Sequence, residues 1–222
     1  MTTCEDLFLL LTNDKGSVEG WGTRRGFGLV AAAVADLVLA ERITLDDAKD
    51  PRVHVLSTEP TGDPALDHVL DGLTGKEGKK LSSIVQTRRL DPGEQIGAAL
   101  AARGVVRVEP KRLAGLVPAK YPTLDPGPEQ VVRSRLRTAL APGGRAVLPG
   151  DGTILAIVQG LDATRAVLGE DALGLSKREL KARIGEIAAQ SAEGTAVAKA
   201  VQAVNTAIVV AAIIPVVTSA GS

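Results

Sequence analysis

Between Gly26 and Ala40 the chain reads GFGLVAAAVADLVLA, and Asp36 is its only charged residue. Such a run is too long for an ordinary strand and too short to span a bilayer. A helix buried on most of its surface satisfies both limits, with Val30 to Leu39 at its heart. The run is preceded by Trp21, the single tryptophan, and by Arg24 and Arg25. A core helix therefore leaves a basic, aromatic mouth, and the rest of the chain must supply the surfaces that enclose it.

Aromatic residues are only 2% of the chain, so that enclosure must be built from Ala, Val, Leu and Ile. The neighbouring segments fit this role. Leu7, Leu10 and Leu11 lie at helical spacing within Glu5 to Leu11, which ends at the turn cluster TNDKG. Residues 43–57 alternate and predict a small β-ribbon. Pro60-Thr61-Gly62-Asp63-Pro64 is a turn, with Asp63 placed to cap a helix from Pro64 to Leu73. GKEGKK follows as a basic loop, then an amphipathic helix from Leu81 to Leu90 ending in Arg88-Arg89. Asp91, Pro92 and Glu94 predict the start of a helix that runs to Arg103.

Val105 to Val108, the turn Glu109 to Arg112 and the return limb Leu113 to Val117 predict a β-hairpin arm over residues 105–118. A basic helix is expected from about Glu129 to Leu140, and shorter ones over Thr153–Leu161 and Ala163–Leu168. A capped amphipathic helix follows over Ser176–Gln190, with Glu179 three residues after its cap. From Ala203 to Ala220 the chain has no charge, but it holds Asn205 and Pro215 and lacks basic flanks after it. That composition favours a core helix over a membrane span. The expectation is a mainly α, single-domain helical bundle over residues 1–222, ringed by amphipathic helices, with one protruding β-hairpin.

Chemistry-bearing motifs are scarce. The glycine-rich stretches at Gly20–Gly26 and Gly72–Lys76 lack the spacing of nucleotide-binding loops. Cys4 is the sole cysteine, and His54 and His68 fit no metal or triad spacing. No catalytic constellation, metal site or cofactor is expected, so the reading is of a non-enzyme. The 26 basic and 26 acidic side chains cancel, which removes the basic footprint of a nucleic-acid binder. The N-terminus has no basic n-region of a secretory signal, and a cytoplasmic setting is expected. What stands out is local: Trp21 beside Arg24 and Arg25, and the pair Arg88-Arg89. A tryptophan beside arginines suits a membrane interface, where indole sits at headgroup depth and guanidinium pairs with phosphate.

Ordered pieces of the chain resemble the Golgi phosphoprotein 3 family in its bacterial form. They are EDLFLLLTNDKG, LVAAAVADLVLAERITL, EPTGDPALDHVLDGL, ALAARGVV and the apolar C-terminal run, with PTGDPALD at residues 60–67 the most specific. The resemblance implies a helical domain with a protruding hairpin. It also implies a peripheral membrane protein that binds phosphatidylinositol 4-phosphate and holds protein clients as an adaptor. Trp21 falls on the family's pocket tryptophan, whereas the family's pocket arginines fall on Val30, Leu90 and Gly93. Arg24, Arg25, Arg88 and Arg89 lie close by and are the expected headgroup residues. Leu113, Leu116 and Val117 of the hairpin are the expected membrane-inserting residues. The expected partner is an anionic phospholipid or phosphoinositide. The alternative is a soluble protein-interaction module that uses the hairpin for a partner or a homo-oligomer.

Overall fold

The apolar run forms α2 (Thr23–Leu39), and its residues Leu29 to Val34 and Leu37 are at most 1% exposed. The structure is a computed structural model that describes residues 1–18, 23–111 and 118–190. Around α2 pack α1 (Thr3–Leu10), α3 (Pro64–Leu73), α4 (Leu81–Val85) and α7 (Pro149–Gly160). Farther out lie α5 (Gly93–Ala102), α6 (Gly127–Leu140), α8 (Thr164–Leu168) and α9 (Lys177–Gln190). A single antiparallel ribbon pairs β1 (Ile43–Leu45) with β2 (Val53–Val55), with Ile43 opposite Val55. The described residues are thus mainly α with one small β-hairpin, and that ribbon lies where the alternation of residues 43–57 predicts it.

Two cap signals read from the sequence are present as atoms. Asp63 Oδ1 accepts from the amides of Ala65 and Leu66 at 2.8 and 3.1 Å, and α3 starts at Pro64. Ser176 and Glu179 form a reciprocal capping box ahead of α9. Other boundaries shift for local reasons. α1 begins at Thr3 because Thr2 and Glu5 cap each other and because Asp36 of α2 accepts the amides of Thr3 and Cys4 at 3.2 and 3.0 Å. The expected helix Leu81–Leu90 stops at Val85. Gln86 and Thr87 side chains bond back to the carbonyls of Ser82 and Ser83, and Arg88–Leu90 form a separate 3₁₀ turn. α5 begins at Gly93, with Pro92 rather than Asp91 in the cap position; Asp91 still accepts from Gly93 N at 3.0 Å, while Glu94 is drawn to Lys111. α7 begins four residues earlier than expected, at Pro149, because Asp151 Oδ2 ties the amides of Val147 and Leu148.

The hairpin arm has a different return limb from the expected one. Arg107 N donates to Pro122 O at 2.8 Å, and Glu109 and Lys120 exchange both backbone bonds at 2.9 Å. Residues 105–109 therefore pair with 120–125, not with Leu113–Val117. The anchor is Tyr121, only 5% exposed, whose ring packs edge-on against Phe8 at 5.2 Å. Its backbone is held from the other side, where Tyr121 N donates to Gly16 O and Thr123 N to Asp14 O. A buried tyrosine sandwiched between two backbone segments outweighs the apolar pattern of 113–117. Leu113, Leu116 and Val117, like the C-terminal run 196–220, lie outside the described residues.

Several charged groups inside the bundle form long-range pairs. Arg135 of α6 donates to Asp6 Oδ2 at 2.6 Å and to Asp151 Oδ1 at 3.0 Å, and both carboxylates are buried. Burial pushes the Asp6 carboxyl upward against the pull of Arg135. Arg103 reaches the buried Glu5 at 2.6 Å. Arg183 of α9 donates to the carbonyls of Ala139, Ala141 and Gly144, closing the C-terminal end of α6. Removing the cation from a buried ionic cluster leaves carboxylates without compensation. Arg135→Met is therefore expected to lower unfolding stability in urea by about 3–5 kcal/mol. Adding Asp6→Asn and Asp151→Asn to Arg135→Met is expected to recover part of that loss. A cost below about 1 kcal/mol, the scale of an exposed pair, would contradict a buried cluster.

Candidate functional site

The first turn of α2 presents two arginines in opposite senses. Arg24 is exposed, whereas Arg25 turns inward. Arg25 Nη2 donates to Thr12 Oγ1 at 3.0 Å, and its guanidinium lies 4.1 Å above the centre of the Phe8 ring. Burial lowers its pKa to about 10, against the opposing pull of Asp91 and Tyr121. Its Nε–H is buried without an acceptor among the described residues. Arg25, Phe8 and Tyr121 form a continuous stack from α2 through α1 to the hairpin arm. The ring of Tyr121 lies so close to α5 that a Cβ on Gly97 would fall inside it.

Arg88 and Arg89 stand exposed on the 3₁₀ turn, and no carboxylate pairs with either among the described residues. Two contacts fix that turn. Leu90 is buried against Gly72 of α3, where a Cβ would collide with it. His68 Nε2 bonds to Arg89 O at 3.0 Å. The next residue, Asp91, brings the turn against α2: its Oδ2 lies 2.6 Å from where a Cβ of Gly26 would sit. The absence of a side chain at Gly26 is what lets the carboxylate approach. The Arg88-Arg89 turn and the start of α2 that carries Arg24 and Arg25 are therefore adjacent, although more than sixty residues separate them in sequence. Trp21 lies outside the described residues.

The three positions where the resemblance expects arginines are differently occupied. Val30 and Leu90 are core residues, 1% and 2% exposed, and Gly93 opens α5 beside Asp91 and Leu29. A charged side chain at Val30 or Leu90 would have to displace apolar packing. The histidines do local work: His54 Nδ1 meets Glu77 at 2.8 Å beside the ribbon, and His68 supports the arginine turn. The features that sequence reasoning missed are the inward turn of Arg25 and the role of Asp91. The only sequence signal for them was the small residue at Gly26, which is silent about its partner.

A second feature adjoins the same end. Leu10 to Asp14 of the α1 turn and Pro126 to Arg133 of α6 line a cleft of about 470 Å³. Its Arg133 is already held by Glu129, Asp171 and the Val167 carbonyl. Among the described residues no three His, Cys, Asp or Glu side chains are grouped to hold a metal ion, and no helix is long and apolar enough to cross a membrane.

The fold and this end of it define a class: a mainly helical protein enclosing one apolar helix, with an exposed basic turn packed on that helix's N-terminal end. The chain belongs to the Golgi phosphoprotein 3 (GPP34) family, whose model matches residues 4–204. No curated protein matches it.

The Tyr121 anchor can be tested by filling the space it occupies. Gly97→Ala is expected to cost about 1–3 kcal/mol through overpacking. It should also speed tryptic cleavage after Arg107 and Lys120 by loosening the arm. Unchanged cleavage together with unchanged stability would show that the ring does not hold the arm.

Proposed function

We propose that this chain is a non-enzymatic peripheral membrane protein that binds an anionic lipid headgroup at the N-terminal end of α2. The observation that carries this reading is the contact of Asp91 with Gly26. It sets the exposed Arg88 and Arg89 against the first turns of α2, the helix end that also carries the exposed Arg24 on another face. Exposed guanidinium groups suit phosphate oxygens, and the N-terminal end of a helix favours the same charge. Arg25 has a different part: it is the buried floor that fixes the first turn on Phe8 and Thr12. Family membership supports phosphatidylinositol 4-phosphate as the first lipid to try, with Trp21 and the hairpin residues Leu113, Leu116 and Val117 as interfacial anchors. Their combination follows the rule that stable attachment takes two weak signals, apolar insertion and phosphate pairing. An adaptor role toward a protein client would follow from attachment.

The second reading is a soluble interaction module. It is favoured by Val108 and Leu124, which lie on the two limbs of the arm with 43% and 58% of their surface exposed. A second copy or a partner covering the arm would bury them.

Co-sedimentation with phosphatidylcholine vesicles, with and without phosphatidylinositol 4-phosphate, separates the readings, with Trp21 emission as a second readout. The triple variant Arg24→Gln, Arg88→Gln, Arg89→Gln is expected to lose about a hundredfold in vesicle affinity, at roughly 1 kcal/mol per basic residue near the surface. Wild-type affinity in that variant would sink the headgroup site. An oligomer that dissociates when Val108 and Leu124 are made polar would favour the second reading.

A further inference from the structure

Gly26 and Gly28 stand two residues apart on α2, about 200° around its axis. Gly26 receives Asp91, whereas Gly28 receives Leu161 and Ile157 of the α7 end, whose side chains lie 3.0 and 3.2 Å from where its Cβ would sit. The first turns of α2 thus carry the Arg88–Leu90 turn on one face and the C-terminal end of α7 on the other. The α7 end continues into a second basic surface that the headgroup site above does not use. At Asp162 the backbone turns through a left-handed conformation, φ 55°, into α8.

A cleft of about 420 Å³ opens between this corner and the start of α9. A smaller one of about 270 Å³ adjoins it and shares Asp162, Thr164 and Lys177. Arg165, Lys177 and Lys181 line the pair, against the one carboxylate of Asp162. Lys177 touches Asp162 at 3.1 Å, but both side chains are largely exposed, so the contact is weak and yields to a stronger anion. Arg165 and Lys181 have no carboxylate partner among the described residues. The inner wall is apolar, from Ala172 and Leu180. The smaller cleft also reaches Gln159, whose Oε1 is buried and accepts no hydrogen bond among the described residues. A buried acceptor left unpaired is costly and calls for a donor. Cations alone would describe any anion; the orphan acceptor adds a requirement for a hydroxyl.

We infer that this double cleft binds a polyol phosphate, with Arg165, Lys177 and Lys181 on the phosphate and Gln159 accepting from a hydroxyl. It is a second anion site flanking α2 on the side opposite Arg88 and Arg89. Its placement at the same end of α2 rests on the membrane reading above, in which a glycerol phosphate headgroup is the occupant. The same chemistry in solution is free glycerol phosphate.

The experiment uses the full chain and phosphatidylcholine vesicles containing phosphatidylglycerol or phosphatidylmethanol, which differ in the headgroup hydroxyls. Free glycerol 3-phosphate is titrated separately by calorimetry. Lys177→Gln with Lys181→Gln is expected to lower affinity for phosphatidylglycerol vesicles by about tenfold or more. Gln159→Leu is expected to erase the preference for phosphatidylglycerol over phosphatidylmethanol. These are exposed or boundary positions, and thermal melting checks that each variant is folded. If the lysine variant binds like wild type while Arg88→Gln with Arg89→Gln does not, the second site is overturned and the first stands. If wild type ignores vesicles but binds glycerol phosphate through Lys177 and Lys181, the cleft is upheld with a soluble occupant and the membrane reading falls. If neither ligand binds, both fall.

Discussion

Enclosure of α2 is the constraint on which the rest of the structure depends. A helix with almost no exposed residue between Leu29 and Leu37 must be covered on every side. The low aromatic content means that small and branched aliphatic side chains do the covering. Close approach then becomes the means of packing. Gly26 admits Asp91, Gly28 admits Leu161, Gly72 admits Leu90 and Gly97 admits Tyr121. Each of these glycines is a place where another element comes nearer than a side chain would allow. Two of the four lie in the first turns of α2, and they bring the Arg88–Leu90 turn and the end of α7 against that helix.

The two ends of α2 differ in kind. At its C-terminal end Asp36 receives the first amides of α1, and burial raises its pKa to about 6 against those bonds. Nearby, Arg135 holds Asp6 and Asp151 inside the protein. These carboxylates are buried, while Glu41, Lys79 and Lys80 beside that end stay exposed. At the N-terminal end Arg25 is turned inward, and Arg24, Arg88 and Arg89 remain in water. Seventeen helical residues separate these regimes, about 25 Å at the rise of an α-helix. One end thus holds a buried acidic cluster and the other a set of exposed arginines.

Local chemistry made much of this legible in the sequence. The Asp63-Pro64 cap, the Ser176–Glu179 box and the apolar run of α2 each declare themselves within a few residues, and each sits where the pattern predicts. What was not legible depends on partners far away in the chain. Nothing near Arg135 announces Asp6, 129 residues distant. Nothing near Arg25 announces that Phe8 and Thr12 will take its guanidinium. The return limb of the arm was misread because Leu113–Val117 has the pattern of a strand, while Tyr121 is fixed by Phe8 and the Gly16 turn. At the candidate site, residue types were visible but their roles were not: Arg24, Arg88 and Arg89 face outward, and Arg25 became part of the floor.

The central claim is that the N-terminal end of α2 faces the lipid. It is tested most directly by measuring depth at both ends of the molecule. An environment-sensitive fluorophore would be attached through Arg88→Cys, or at the other end through Leu56→Cys, in a Cys4→Ala background. Vesicles containing anionic lipid and nitroxide-labelled headgroups then report proximity. Strong quenching is expected of the probe at position 88 and little at position 56. Equal quenching at both positions, or stronger quenching at 56, would contradict it.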